Sequence, residues 1–219
     1  GAGLAFSPFD LQPGLSPALG VDMSVHALTK YPSGGGDVLM GSVVTRDPSL
    51  HMKLKLTHMR LGLGVGANDA ESVLRSLPSM ALRYRAHDQA TRQLANWAQS
   101  QTQFAQVLHP ALPDSPGHRH WLELCQAEVG GAAGLFSVIF HPRFNQNQID
   151  AFCDALKLFK IGYSWGGPMS LIVPYDLTSM RNDWPRYLKH GTLVRFSIGL
   201  ETASDLQADL AQALQHIFE

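Results

Sequence analysis

The chain has 219 residues, enough to bury a sizeable core in one or two domains. A formal net charge of −1 argues against a broad nucleic-acid or anionic-membrane footprint, and no apolar run is long enough to cross a bilayer. Only 16% of residues are charged, against the usual quarter, which suits a subunit that hides area in an oligomer or a piece of something larger.

Gly1 to Pro17 is rich in Gly, Pro and small apolar residues and is expected to be a loop. The chain opens on Gly1, which fits a fragment, a processed product or a partial reading frame. Asp10 and Asp22 are its nearest acids, and Asp22 is expected to serve a turn before a strand. That strand runs from Val21 to Leu28 and leads to Lys30, the only Lys or Arg before Arg46. Gly34-Gly35-Gly36 allows a sharp turn, and a second apolar strand follows over Val38 to Val44. As a phosphate cradle the three glycines are a weak signal, because no Lys-Ser or Lys-Thr follows them.

His51 to Arg60 mixes basic residues and histidines with apolar ones and reads as an amphipathic linker or helix face, with Lys53 and Lys55 solvated. Gly62, Gly64 and Gly66 follow no strand in a βαβ context, so they argue for close approach of the chain to its neighbours rather than a dinucleotide site. Asn68 to Glu71 reads as a capping box for a helix that Pro78 interrupts. Met80 to Gln101 has Leu82, Ala86, Ala90, Leu94 and Trp97 at helical spacing, with Met80 and Trp97 read as core. A domain boundary is expected near residues 76–80, dividing the chain into 1–78 and 79–219.

The second part reads as α+β. Strands are expected over Phe104–Leu108, Leu135–Phe140, Leu171–Pro174 and Leu193–Ile198. Helices are expected over Asn145–Phe159, with Ile149, Phe152, Ala155 and Leu156 apolar, and Thr202–Phe218, with Leu206, Leu210, Leu214 and Ile217 apolar. The sum is a small, mostly antiparallel sheet with helices on one face. His109, His118 and His120 flank a proline-rich loop without ligand spacing, so no metal site is expected. Cys125 and Cys153 read as reduced thiols of a cytoplasmic protein rather than a disulfide framework.

Two residues stand out chemically. Lys30 ends an apolar strand, where burial disfavours the ammonium form and leaves a nucleophilic amine; the alternative is a strand-end lysine with its head in water. Arg195 lies between Val194 and Phe196 and needs an anion if buried, either a substrate carboxylate or an acid at an edge or interface.

Thr29-Lys30-Tyr31 with Gly34 and Asp37, the run Leu158 to Ile172 around Tyr163-Ser164-Trp165-Gly166-Gly167, and Leu193 to Glu201 around Arg195 occur in one order. In that order they resemble three motifs of the Cys/Met-metabolism pyridoxal-phosphate enzymes of fold type I. The Tyr163–Gly167 core is most similar to the cystathionine β-lyase branch. The resemblance implies an α/β fold: part of the large cofactor domain over 1–78, and the small C-terminal α+β domain over 79–219.

It also implies pyridoxal 5'-phosphate as cofactor, held by Lys30 as a Schiff base and by Thr29 at the phosphate. Lys30 and Tyr163 are the catalytic candidates. Ser164, Trp165 and Arg195 are the candidates for substrate binding, with Arg195 on the α-carboxylate. The implied reaction is β-elimination of L-cystathionine to homocysteine, pyruvate and ammonia in methionine biosynthesis; the γ-synthase and γ-lyase reactions, or a truncated oligomerisation partner without catalysis, are the alternatives. A homo-oligomer built as a dimer of dimers, without nucleic-acid or membrane partners, is expected.

The resemblance covers the family's C-terminal half or slightly more. The aspartate for the ring nitrogen, the ring-stacking aromatic, the glycine-rich phosphate turn, and the Tyr and Arg of a neighbouring subunit are missing, so the chain alone is expected to be nearly inactive. Ala27 stands where many relatives carry a phosphate-binding serine, and Gly35 and Gly36 stand where many carry histidine and serine.

Overall fold

The computed structural model describes residues 8–9, 20–125, 131–180 and 183–218. Asp10 and all of the loop expected over Gly1 to Pro17 except Pro8 and Phe9 lie outside the described residues.

The first structured unit is a hairpin. Strand β1, Met23–Ala27, pairs antiparallel with β2, Gly41–Thr45, in register from Met23 opposite Thr45 to Ala27 opposite Gly41. Thr45 Oγ1 donates to the Asp22 carbonyl at 2.7 Å and closes the base. The second strand starts three residues later than its apolar run suggests, because Val38 is buried in the connection while Leu39 is 91% exposed. Gly34 and Gly36 both adopt positive φ, +70° and +75°, so the connection turns where only glycine is unstrained.

Helix α1, Pro48–Arg60, starts at an Asp47 cap whose Oδ1 accepts from the Ser49 and Leu50 amides, with Pro48 in the first turn. It buries no residue, and Lys53 and Lys55 are exposed. The glycines that follow do not serve close approach: a Cβ at Gly62 or Gly64 would meet open space, and Gly62 instead turns the chain at φ +63°.

Helix α2, Ala67–Ser76, begins two residues too early for the expected capping box at Asn68. Gly66 is the N-cap and makes no side-chain cap. Asn68 is already inside the first turn, and Glu71 pairs with Arg75 at 2.7 Å instead.

A 3-10 corner at Leu77–Ser79, carrying Pro78, joins α2 to α3, Met80–Ala98. The buried face of α3 is Tyr84, His87, Thr91, Leu94, Ala95 and Ala98, rotated from the expected stripe, and Leu82 is 67% exposed. Apolar periodicity misses this face because half of it is polar, tied by hydrogen bonds to backbone: Thr91 Oγ1 donates to the His87 carbonyl, and His87 Nδ1 lies 2.7 Å from the Ile198 carbonyl. Trp97 packs at the core's edge, and Met80 lines a cavity beside Lys30.

The remaining strands are β3, Phe104–Leu108; β4, Leu135–Phe140; β5, Lys160–Ile161; β6, Leu171–Tyr175; and β7, Leu193–Ser197. They form one sheet in the order β3-β4-β7-β6-β5, antiparallel except for the β5–β6 pair. Helix α3 packs with α5, Gln146–Ala155, and α7, Ala203–Phe218, around a core that includes Phe136, Phe140, Ile149, Phe152, Phe196, Leu206 and Leu210. Short helices α4, His118–Cys125, and α6, Leu177–Met180, were not visible in the apolar pattern.

Helix α5 ends at Ala155 rather than Phe159. Leu156 turns to extended backbone, and the buried Asp209 carboxylate on α7 accepts the Lys157 and Leu158 amides at 2.8–3.0 Å. That capture sends the chain into β5 and towards the Tyr163 turn.

Both cysteines are free and buried, and burial pushes the Cys153 thiol up to about 12. The described residues hold no cluster suited to a metal ion.

Candidate active site at the lysine turn

The pleat of β7 sets the first part of the site. Val194 and Phe196 are buried in the core, so Arg195 between them emerges on the opposite face, with Ser137 of β4 directly across. Arg195 Nη2 donates to the Tyr163 carbonyl at 2.9 Å and to the Ser164 carbonyl at 3.4 Å. Its Nε is buried without a partner. A buried guanidinium donor of this kind calls for an acceptor, an anion or a water.

The hairpin connection sets the second part. The Lys30 amide donates to the Ala27 carbonyl, and the Gly34 amide returns to the Lys30 carbonyl, so the lysine heads a tight turn at the end of β1. Lys30 Nζ donates to Ser164 Oγ at 2.8 Å and lies 4.2 Å from the centroid of the Trp165 ring. The amine borders a cavity of about 190 Å³ whose walls include Tyr31, Met80, Tyr84 and Trp165.

One turn therefore carries both ends of the site: the Ser164 hydroxyl faces the lysine, while the Tyr163 and Ser164 carbonyls face the arginine. Gly166, at φ +75°, makes that possible. A Cβ there would lie 2.9 Å from the Tyr31 amide nitrogen. Behind the turn, Ser170 is held by Glu201, which accepts from its amide at 2.7 Å and its hydroxyl at 2.8 Å.

The structure brings together Lys30, Ser164, Trp165 and Arg195. It places the other two candidates differently. The Thr29 hydroxyl accepts from the Met40 amide at 3.1 Å and donates to the Met40 carbonyl at 3.4 Å, a long bond that an oxyanion can displace. The Tyr163 side chain is 72% exposed with its ring beside Tyr175, and its carbonyl, not its phenol, engages Arg195.

Three further residues support the site. Tyr31 accepts from the Gly134 amide at 2.8 Å and stacks edge-on to Tyr84 and His87; burial pushes its phenol above the ordinary range, so it stays protonated. Arg83 donates to the Tyr31 carbonyl. Gly166 gives the close approach. The sequence signals were a tyrosine next to the lysine, an arginine without an i±4 acid, and the first glycine of a pair.

Residues 6–215 match the Cys/Met metabolism PLP-dependent enzyme family. The chain belongs to this family. A cystathionine beta-lyase of Bordetella avium is 37% identical over 201 residues, 90% of this chain and 48% of that protein. An L-alanine/L-glutamate racemase of Wolbachia pipientis is 30% identical over 214 residues, 98% of this chain and 50% of that protein. The crystal structure of a cystathionine gamma synthase from Xanthomonas oryzae, in complex with aminoacrylate and cysteine, superposes with a TM-score of 0.76 at 31% identity, over 90% of this chain and 51% of that one. The fold is thus that of the pyridoxal-phosphate-dependent cystathionine enzymes of fold type I, and the three names carry three reactions. The chain spans about half the length of the curated relatives it matches.

The residues present fit the family's cofactor. Lys30 offers a primary amine at a cavity, Trp165 gives it an aromatic wall, and Arg195 keeps a buried Nε without a partner.

Proposed function

We propose that the protein is a carbon–sulfur lyase that cleaves L-cystathionine by β-elimination, giving homocysteine, pyruvate and ammonia in methionine biosynthesis. The observation that carries this reading is the Lys30 amine held between Ser164 and Trp165 while Arg195 grips the same turn with its buried Nε left unpaired. The activity is assigned to the whole protein, since the relatives are about twice as long as the chain; the chain alone is assigned little or none.

When bound, pyridoxal phosphate supplies the electron sink that acidifies the substrate's α-carbon. Lys30 and Thr29 are assigned to hold it, Lys30 through Nζ and Thr29 through the hydroxyl now shared with Met40. Arg195 is assigned to orient the substrate by its α-carboxylate, through guanidinium donors that the Tyr163 turn does not engage. Trp165 and Ser164 bound the space between the two and keep water from the amine. Lys30 Nζ, in its neutral form, takes the α-proton; the same flexible side chain can then hand a proton to the departing thiolate. Ser164 Oγ, 2.8 Å away, stabilises the amine between those steps. Tyr163, beside Ser164 with an exposed phenol, is the second proton-transfer candidate.

The division into 1–78 and 79–219 belongs to this reading, with the 3-10 corner at Leu77–Ser79 as the joint. So do cytoplasmic residence, for which two buried free thiols speak, and assembly as a dimer of dimers, for which the exposed apolar residues Val25, Leu39, Met52 and Met59 speak. No helix among the described residues is long and apolar enough to cross a membrane.

The test is product analysis on the protein at its natural length. Homocysteine with pyruvate supports β-elimination. Cysteine with 2-oxobutyrate transfers the chain to the γ-eliminating branch, and racemised amino acid without keto acid rules out the lyase reading altogether.

A further inference from the structure

We propose that Arg83 is a positioning residue for Lys30: its guanidinium clamps the carbonyls of the lysine turn to the corner between α2 and α3, and so fixes the amine against Ser164 and Trp165. The inference deepens the proposed function, because it rests on Lys30 as the cofactor lysine.

The turn leaves two carbonyls without a partner of its own. The Ser33 amide goes to the Leu28 carbonyl, the Ser33 hydroxyl to the Thr29 carbonyl, and the Gly34 amide to the Lys30 carbonyl. The carbonyls of Tyr31 and Pro32 are taken by Arg83, Nη1 donating at 2.8 Å and Nη2 at 3.4 Å. The rest of the fork holds the corner: Nη2 donates to the Ser76 carbonyl and Nε to Ser79 Oγ, both at 3.1 Å. One rigid plane thus joins segments about fifty residues apart in sequence.

The turn is built around this group. Gly34 adopts φ +70°, and a Cβ there would overlap the Arg83 guanidinium. Ser79, the acceptor of Nε, is itself fixed by donating to the Ser76 carbonyl at 3.0 Å. Among the described residues the hydrogen bonds of Arg83 all go to neutral oxygens, so its charge strengthens bonds to the turn rather than serving an ion pair. A lysine could not substitute, since an ammonium presents a point charge and cannot span both carbonyls and the corner in one plane.

The test compares the protein at its natural length, freed of cofactor, with its Arg83→Ala and Arg83→Lys variants by trace acetylation with acetic anhydride, mapped by mass, with Lys53 and Lys55 as internal references. Amide exchange at Ser33 and Gly34 is read in parallel. The difference in reactivity between Lys30 and the references is expected to shrink about threefold or more in both variants. The two amides are expected to exchange about tenfold faster or more. Ile149→Val, which trims a core side chain away from the turn, is expected to leave Lys30 reactivity unchanged. If Arg83→Ala does not fold, Arg83→Lys carries the test, since it keeps the charge and the helix. Lys30 reactivity and amide exchange equal to the unsubstituted chain in Arg83→Lys would overturn the proposal. Neither readout needs the cofactor, so a failure to trap pyridoxal phosphate on Lys30 in the unsubstituted protein would count against the proposed function and not against the clamp.

Discussion

Lys30 Nζ donates to Ser164 Oγ at 2.8 Å, across 134 residues of chain. This bond joins the β1–β2 hairpin to the turn that connects β5 and β6 of the five-stranded sheet. In the proposed function this places the amine where the covalent cofactor and the substrate it activates would meet. Removing the amine is therefore expected to remove both attachment and proton transfer. Lys30→Ala should lose at least about a hundredfold in kcat, in keeping with loss of a positioned general base, and should retain no covalently trapped cofactor. Steady-state kinetics with an intact-mass measurement checks both.

Arg195 is expected to act on substrate rather than cofactor. Arg195→Lys keeps the charge but loses the fork, and a charge-assisted bond of about 1.5–3 kcal/mol corresponds to about ten- to a hundredfold in kcat/KM. Cofactor occupancy should be unchanged. A variant with normal kcat/KM would return Arg195 to a structural role on the Tyr163 turn.

Gly166 is the contact where the two halves of the site touch. Gly166→Ala adds a Cβ 2.9 Å from the Tyr31 nitrogen at a φ of +75°. A loss of about 1–3 kcal/mol in stability is expected from backbone strain, with the Lys30–Ser164 pairing disturbed as well. Urea unfolding gives the first effect and trace labelling of Lys30 the second.

His109 gives the fold a pH dependence remote from the site. It is buried, its Nδ1 accepts from the Ala111 amide at 3.3 Å, and burial holds the ring's pKa down to about 4. The unfolded chain binds a proton at a higher pH than the folded chain does. The contribution is therefore complete above about pH 6.5 and is lost as pH falls from there towards 4, to an extent of about 3 kcal/mol. Urea midpoints at pH 7 and pH 5 should converge less in the wild type than in His109→Gln, which cannot take up the proton: the wild type should lose stability between the two, and the variant should lose markedly less.

Much of this architecture was legible in the sequence, because apolar spacing reports directly on burial. Strands Phe104–Leu108 and Leu135–Phe140 fall where their short apolar runs put them, and the stripe of α7 is the one the core receives. The errors have physical causes. The buried face of α3 carries His87 and Thr91, whose polarity hides it from a periodicity argument until their partners are known. The early end of α5 depends on Asp209, more than fifty residues away, and no local signal announces it.

The site divides the same way. Lys30 stood out as a single cation at a strand end, and Arg195 as a charge between two core residues. The clamp of Arg83 and the close approach of Gly166 to Tyr31 exist only in three dimensions. Thr29 was legible as a phosphate candidate, but not the sharing of its hydroxyl with Met40.

The most direct measurement is borohydride reduction of the protein at its natural length with pyridoxal phosphate, followed by digestion and mass mapping. A single phosphopyridoxyl group on Lys30 is the predicted result. A folded protein labelled elsewhere, or not at all, would contradict the assignment of Lys30 and leave a family member that has kept the fold without the chemistry.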